Sequence, residues 1–262
     1  MQIFFRTLLT LYLSHLLTDF AFQTHRLVEQ KRRRRALAYA LHGLIHYVSA
    51  VLIVGFFLAG SMWSLRTHMV IVALVLVHLV IDFAKIELTR RSVFKDGLLP
   101  YLADQFLHFA TIILAAWLLA PGPPGGMAVL LQMARRLPDK FLAVPVIYLA
   151  VVFGGGYLIR FLTRSLAEDV RTRSPERASE QLQNAGLYIG WLERSLVLTA
   201  LLLQSPATIG LILTAKSIAR YPEFKSERFA EYFLIGTLLS MGIAVAGGAF
   251  LAKLIFGQLR FT

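Results

Sequence analysis

Apolar runs long enough to cross a membrane recur along the whole of this 262-residue chain. Stretches 70–80, 141–153, 195–203 and 233–250 carry almost no charge. A helix needs about 20 predominantly apolar residues to span the hydrocarbon core. In lipid the backbone must satisfy its own hydrogen bonds, which leaves helices and closed barrels. The expected fold is therefore an all-α, polytopic membrane bundle. Spans are read at 3–23, 38–60, 68–88, 98–120, 141–163, 187–204, 206–219 and 229–256. The 206–219 stretch is short and is either a span or re-entrant, so the count is seven or eight.

Composition narrows the chemistry. Hydrophobic residues make up 57% of the chain and charged ones 16%, against about 25% charged in soluble domains. The absence of cysteine excludes disulfides, thiolate metal sites, iron–sulfur clusters and thiol nucleophiles. A net charge of +12 would point a soluble domain toward nucleic acid. Here the cations lie between apolar runs, where the positive-inside rule places them, and no nucleic-acid partner is expected. Residues 1–20 lack a small-x-small cleavage site and hold His15 and Asp19 inside the apolar stretch, so they read as a retained first span.

The basic loops set the expected orientation. Loops 24–37, 85–97 and 160–181 are rich in arginine and lysine, which places them in the cytoplasm and the N-terminus outside. Arg135, Arg136 and Lys140 then fall outside, against the rule. The breaker-rich stretch PGPPGGM at 121–127 divides the chain into a four-helix membrane unit, 1–120, and a C-terminal membrane helical unit, 121–262. The latter carries a polar cytoplasmic segment at 164–185.

Four polar pairs recur at i,i+4 in the first four spans: His15/Asp19, His42/His46, His78/Asp82 and Asp104/His108. Residues four apart share a helix face. Ionisable residues inside a span are costly and mark function. Alternating helix directions bring all eight to one depth. The deep tier is His15, His46, His78 and His108, and the shallow tier is Asp19, His42, Asp82 and Asp104, about 6 Å apart at a rise of ~1.5 Å per residue. The pattern HxxxD, basic loop, second pair occurs twice. A duplicated helical hairpin with a pseudo-twofold axis along the membrane normal is expected.

Imidazole and carboxylate together suit first-row divalent ions, zinc first and manganese or iron next. Eight candidates exceed the four ligands of one zinc. Either two metals bind, or some residues orient the histidines. Asp19, Asp82 and Asp104 are the candidate catalytic bases. A metal-free proton or ion pathway and structural polar glue are the competing readings. Gln23 and Gln105 could bond the ligand shell or a substrate, and Lys85 is either an interfacial anchor or a substrate cation. His25 and His68 read as loop residues outside the cluster. Farther on, Arg194, Lys216 and Arg220 could form a pocket for an anionic head group, although Glu193 and Arg194 also read as a buried pair. The triple glycine Gly154–Gly156 reads as a close-packing or kink site.

The segments HLLTDFAFQTHRLVEQK, ALHGLIHY, HLVIDFAK and DQFLHF resemble a bacterial membrane family known as domain of unknown function 3307. Later segments, GLYIGWLERSLVLTALL, AKSIARYPEFK and AEYFLIGTLLS, resemble the C-terminal part of its longer members. The resemblance implies a bacterial cytoplasmic membrane but brings no activity. The HxxxD and HxxxH style is loosely similar to membrane-bound metal-dependent hydrolases. The leading expectation is a metal-dependent membrane hydrolase of a lipid, lipid-linked or phosphorylated substrate at the cytoplasmic leaflet. The alternatives are a divalent-cation or proton transporter or channel, and a scaffold or sensor with a structural metal. The oligomeric state is left open.

Overall fold

The computed structural model describes residues 2–58, 64–120, 140–173, 180–221, 224 and 227–257. The breaker stretch 121–127, with Arg135 and Arg136, lies outside the described residues, as does 174–179 of the polar segment. Among the described residues there is no strand. The helices are α1 (Gln2–Leu16), α2 (His25–Arg32), α3 (Ala36–Phe57), α4 (Leu65–Arg90) and α5 (Leu98–Leu119), then α6 (Lys140–Leu149), α7 (Gly155–Leu162), α8 (Arg164–Arg173), α9 (Glu180–Leu202), α10 (Ala207–Arg220) and α11 (Glu227–Phe256).

Among the described residues, five stretches are long and apolar enough to cross a membrane: α3, α4, α5, the continuous Lys140–Leu162 and α11. This is a membrane protein, and its exposed leucines, phenylalanines and valines form the surface that lipid would cover. The other three expected spans are helical too. α1 continues into a π-helical turn, Leu17–Phe22. α9 carries Glu193 and Arg194, and α10 has 14 residues, short for a crossing.

The chain divides into two compact units, Met1–Val146 and Ile147–Thr262. That division falls within α6; the boundary expected from the sequence, after residue 120, lies outside the described residues.

In the first unit α1, α3, α4 and α5 close a ring: α1 packs on α3 and α5, and α4 packs on the same two. The two HxxxD helices, α1 and α4, therefore face each other across a diagonal, as a duplicated hairpin requires. Their loops close alike. After α2, Arg33 N, Arg34 N and Arg35 N donate to Glu29 O, Lys31 O and Gln30 O; after α4, Arg91 N, Ser92 N and Val93 N donate to Glu87 O, Thr89 O and Leu88 O. Arg34 and Ser92 both adopt φ of 58°, the left-handed residue that ends such a helix. Glu87 gathers the loop arginines through Arg34, Arg90 and Arg91.

The hairpins differ in one place. The π turn ends at Gln23, whose backbone is extended, and Thr24 caps α2 by accepting from Leu27 N. The first hairpin thus turns back on itself where α4 runs straight. α2 buries Leu27 and Lys31, spaced i,i+4, against the bundle. At the far end of the ring Leu11, Val54, Leu58, Ile112, Ala115 and Ala116 fill the axis.

In the second unit α9 packs along α11, with α7 and the π turn Ala150–Gly154 against them. Pro145 lies inside α6, and the π turn follows it. A proline deprives the helix of a donor, and a π turn leaves carbonyls poorly matched. Val152 O accepts instead from Arg194, at 3.1 Å from Nε and 2.7 Å from Nη2.

Candidate metal centre

The ring helices hold their eight polar residues toward one another. His42 and His108 are fully buried, and His15, His46, His78 and Asp104 nearly so. Gly43 makes the approach of α3 to α4 possible, since a Cβ there would stand 2.9 Å from Leu79 Cδ1.

The deep tier forms as expected. Ring centroids of His46 and His78 are 3.9 Å apart, those of His78 and His108 4.3 Å, and those of His15 and His108 5.0 Å. The shallow tier is not a separate layer. Asp19 Oδ1 lies 3.0 Å from His46 Nε2, 3.3 Å from His42 Nε2 and 3.5 Å from His78 Nε2, while Oδ2 lies 3.6 Å from His15 Nε2. The expected 6 Å gap between tiers is a backbone spacing, and these side chains are long enough to close it. The π turn that contains Asp19 widens the helix at this point, as such turns often do at functional sites.

Three overlapping sets each bring their ligand atoms within 4.8 Å of one another: His15, Asp19, His46 and His78; His42, His78 and Asp82; and Asp82, Asp104 and His108. Together they use all eight residues. Two donors on a tetrahedral zinc, each at ~2.0–2.1 Å, stand about 3.3 Å apart. The separations around Asp19, 3.0 to 3.6 Å, are compatible with that spacing, and the shortest, His46 Nε2 to Asp19 Oδ1, is itself a hydrogen bond.

Four of the buried ligand-bearing residues keep atoms with no hydrogen-bond partner: His15 Nε2, His42 Nδ1, Asp104 Oδ1, and both ring nitrogens of His108. Such atoms each cost about 1–3 kcal/mol. Beside His15, His46, His78 and His108 lies a cavity of roughly water size, lined also by Ser14, Thr111 and the apolar Leu11, Ala50, Leu74, Val75 and Ile112.

The two glutamines bond the shell. Gln23 Nε2 is 3.2 Å from His42 Nε2, and Gln105 Nε2 donates to Asp104 Oδ2 at 3.1 Å. Lys85 Nζ pairs with Asp104 Oδ2 at 3.0 Å, so it reaches the cluster instead of acting solely as an anchor. The sequence reading missed Lys31. It is 2% exposed and donates to Asp82 Oδ2 at 2.6 Å. Its signal was present: Thr24 is a helix cap, and Leu27 and Lys31 lie on one face of the helix it starts. The neighbouring arginines hid it inside a loop charge run.

His25 and His68 are not loop residues. His25 opens α2, and His68, in the first turn of α4, shares a 2.9 Å hydrogen bond between Nδ1 and Tyr47 Oη.

The residues expected to form an anion pocket lie in the second unit, and all three already have interaction partners. Arg194 donates to Val152 O and to Ser240 Oγ, the latter at 3.0 Å. Lys216 Nζ pairs with Glu193 Oε2 at 2.7 Å, so Glu193 is matched by Lys216 and not by its sequence neighbour. Arg220 is half-buried near the end of α10. The triple glycine accommodates the arginine: a Cβ at Gly156 would stand 2.7 Å from Arg194 Nη2.

This fold and cluster define a polytopic helical membrane protein with a buried histidine–aspartate centre in its first bundle. Residues 7–123, which span most of the N-terminal bundle, match the model of the family described as Protein of unknown function (DUF3307). The matched stretch contains all eight clustered residues, together with Lys31 and Lys85. No curated protein and no solved structure matches the chain.

Proposed function

We propose that the first bundle is a divalent-metal centre and the protein a metal-dependent hydrolase of a lipid or lipid-linked substrate. Its basic end, with the loops after α2 and α4, would face the cytoplasm of a bacterial cell, and α1 would start outside. The supporting observation is the coincidence of donor spacing and orphaned atoms. Donors already stand at metal-ligand separations, and His15, His42, Asp104 and His108, which keep buried atoms without partners, belong to the same overlapping sets. A cation among them would relieve the desolvation cost that the metal-free cluster carries.

Zinc fits this donor set first, with manganese or iron next. One ion would take His15, Asp19, His46 and His78. A second would take Asp82, Asp104 and His108, with His42 between. Two such ions, if bound, would supply an activated water and a clamp on a phosphoryl or acyl oxygen. The chain's own part would be to hold the ions, keep the deep side dry and present an aspartate as base. Asp19 and Asp82 retain slight exposure and Lys85 more, so access runs from the basic end. The Leu11 cluster closes the opposite end.

One observation favours a second reading, transport of a cation or proton. Thr7, Thr10 and Ser14 are buried on one face of α1, so the distal half of that helix carries a polar stripe inside the bundle. Against a path, Thr7 and Thr10 give their hydroxyl protons to Ile3 O and Arg6 O of their own helix.

Elemental analysis of the detergent-purified protein tests the metal reading. Wild type should carry one or two equivalents of divalent metal, and His46→Ala and His78→Ala should lower occupancy about tenfold or more. Wild-type protein without stoichiometric metal overturns it. Ion uptake by reconstituted vesicles would then select transport over hydrolysis.

A further inference from the structure

Lys31 is the residue that the metal centre alone does not explain. Exposed loop cations such as Arg32 and Arg33 follow the positive-inside rule. A lysine 2% exposed does not. Nor is a buried ammonium beside a metal site favourable, because like charges repel strongly at low dielectric. Lys85 repeats the arrangement on the neighbouring aspartate. Two ammonium groups are thus held on the two aspartates of one proposed metal set, Lys31 at 2.6 Å and Lys85 at 3.0 Å.

Charge balance identifies what such a site would accept. Asp19, Asp82 and Asp104 bring three negative charges, and Lys31 and Lys85 two positive ones. Histidines that ligate metal are neutral. Two divalent ions would leave three positive charges in a largely buried place, and a buried excess of charge requires a partner. Ligands from outside the chain must supply three negative charges. Hydroxide brings one, so the substrate must bring two. A carboxylic ester brings none and a carboxylate one. A phosphate monoester brings two, and its oxygens suit ammonium donors. Each ammonium has three N–H groups and gives one to its aspartate, so donors remain for a phosphate oxygen.

We infer that the substrate is a phosphate monoester, whose phosphate Lys31 and Lys85 hold against the metal centre from the basic end of the bundle. The inference rests on the metal reading above. In the hydrolysis the P–O bond to the alcohol breaks and a water oxygen joins phosphorus. Of the two water protons, one ends on the alcohol and the other on the phosphate. Lys31 and Lys85 are then substrate-binding residues; sequence reasoning left Lys31 among loop cations and read Lys85 as either an anchor or a substrate cation.

The test uses the full chain in detergent, loaded with zinc or manganese, with metal content measured first. Inorganic phosphate is titrated calorimetrically into wild type, Lys85→Met, Lys85→Arg and Lys31→Met. The lysine-to-methionine variants should retain their metal and bind phosphate about tenfold or more weakly, with Lys85→Arg recovering most of the affinity. Lys85 is partly exposed, so its variants carry the test if Lys31→Met fails to fold. Competition with vesicles identifies the source of the phosphate. Displacement by phosphatidylcholine vesicles containing phosphatidate, and not by phosphatidylcholine alone, supports a lipid head group; Lys-dependent binding without displacement supports a water-soluble monoester. Metal-loaded protein that binds no phosphate, or binds it equally with and without the lysines, overturns the inference and leaves the metal reading standing. Metal-free wild type removes both.

Discussion

In the C-terminal unit the buried ions are matched one to one: Arg194 with Val152 O and Ser240, Glu193 with Lys216. In the N-terminal bundle eight ionisable residues crowd together, and His15, His42, Asp104 and His108 keep buried atoms without partners. The two regions spend apolar helix on charge for different ends. A matched ion is part of the architecture, because it completes a backbone interrupted by a π turn. The crowded atoms of the first bundle are the ones that a divalent ion would engage under the proposal above. Trp191 Nε1 and Thr237 Oγ1 also lack partners in the second unit, but an indole N–H has no lone pair to offer a metal.

Four substitutions would break or sharpen this contrast. The largest effect is expected at Arg194. Arg194→Met leaves Val152 O and Ser240 Oγ without their donor, and should cost about 1–3 kcal/mol for each acceptor left unpaired, read as a lower unfolding midpoint in detergent. Metal content of the folded fraction should not change. Asp19→Asn should do the reverse. It keeps the shape but removes the charge at the centre of four imidazoles. Metal affinity should fall about 100-fold, while the metal-free protein unfolds at the same midpoint or a higher one. If Asp19→Asn instead unfolds the bundle with metal retained, the cluster is structural.

Gly156→Ala should cost about 1–3 kcal/mol in thermal unfolding. The added methyl enters the space of Arg194 Nη2, and that guanidinium is tethered and cannot retreat freely. The smallest effect belongs to Tyr47→Phe, which removes the bond to His68. It should cost about 1 kcal/mol with metal content unchanged, which would show that a histidine in the same bundle can lie outside the centre.

Much of the bundle was legible beforehand. The i,i+4 pairs announced which faces meet, since helix periodicity places residues four apart in one line. The repeated hairpin and its basic loops also came from spacing, and the two loops close with the same hydrogen-bond pattern, one that also ends α9 in the second unit. Three features were hidden. The π turn at Leu17–Phe22 has the composition of ordinary helix. Lys31 sat among arginines that all satisfy the loop rule. Arg194 and Lys216 looked like partners for one anion, because a one-dimensional reading cannot show a carbonyl freed 42 residues away or a pairing that skips the adjacent glutamate.

By itself, the sequence determined the helical class, the crossing of a membrane and the eight residues that share one depth. Apolar length and helical period are local properties, and local properties survive in one dimension. The merging of the two tiers around Asp19, the delivery of Lys31 by a helix that turns back, and the commitment of Arg194 to a carbonyl were decided only by the tertiary structure. Each depends on which helix stands beside which and how far a side chain reaches across, and spacing along a chain does not contain those distances.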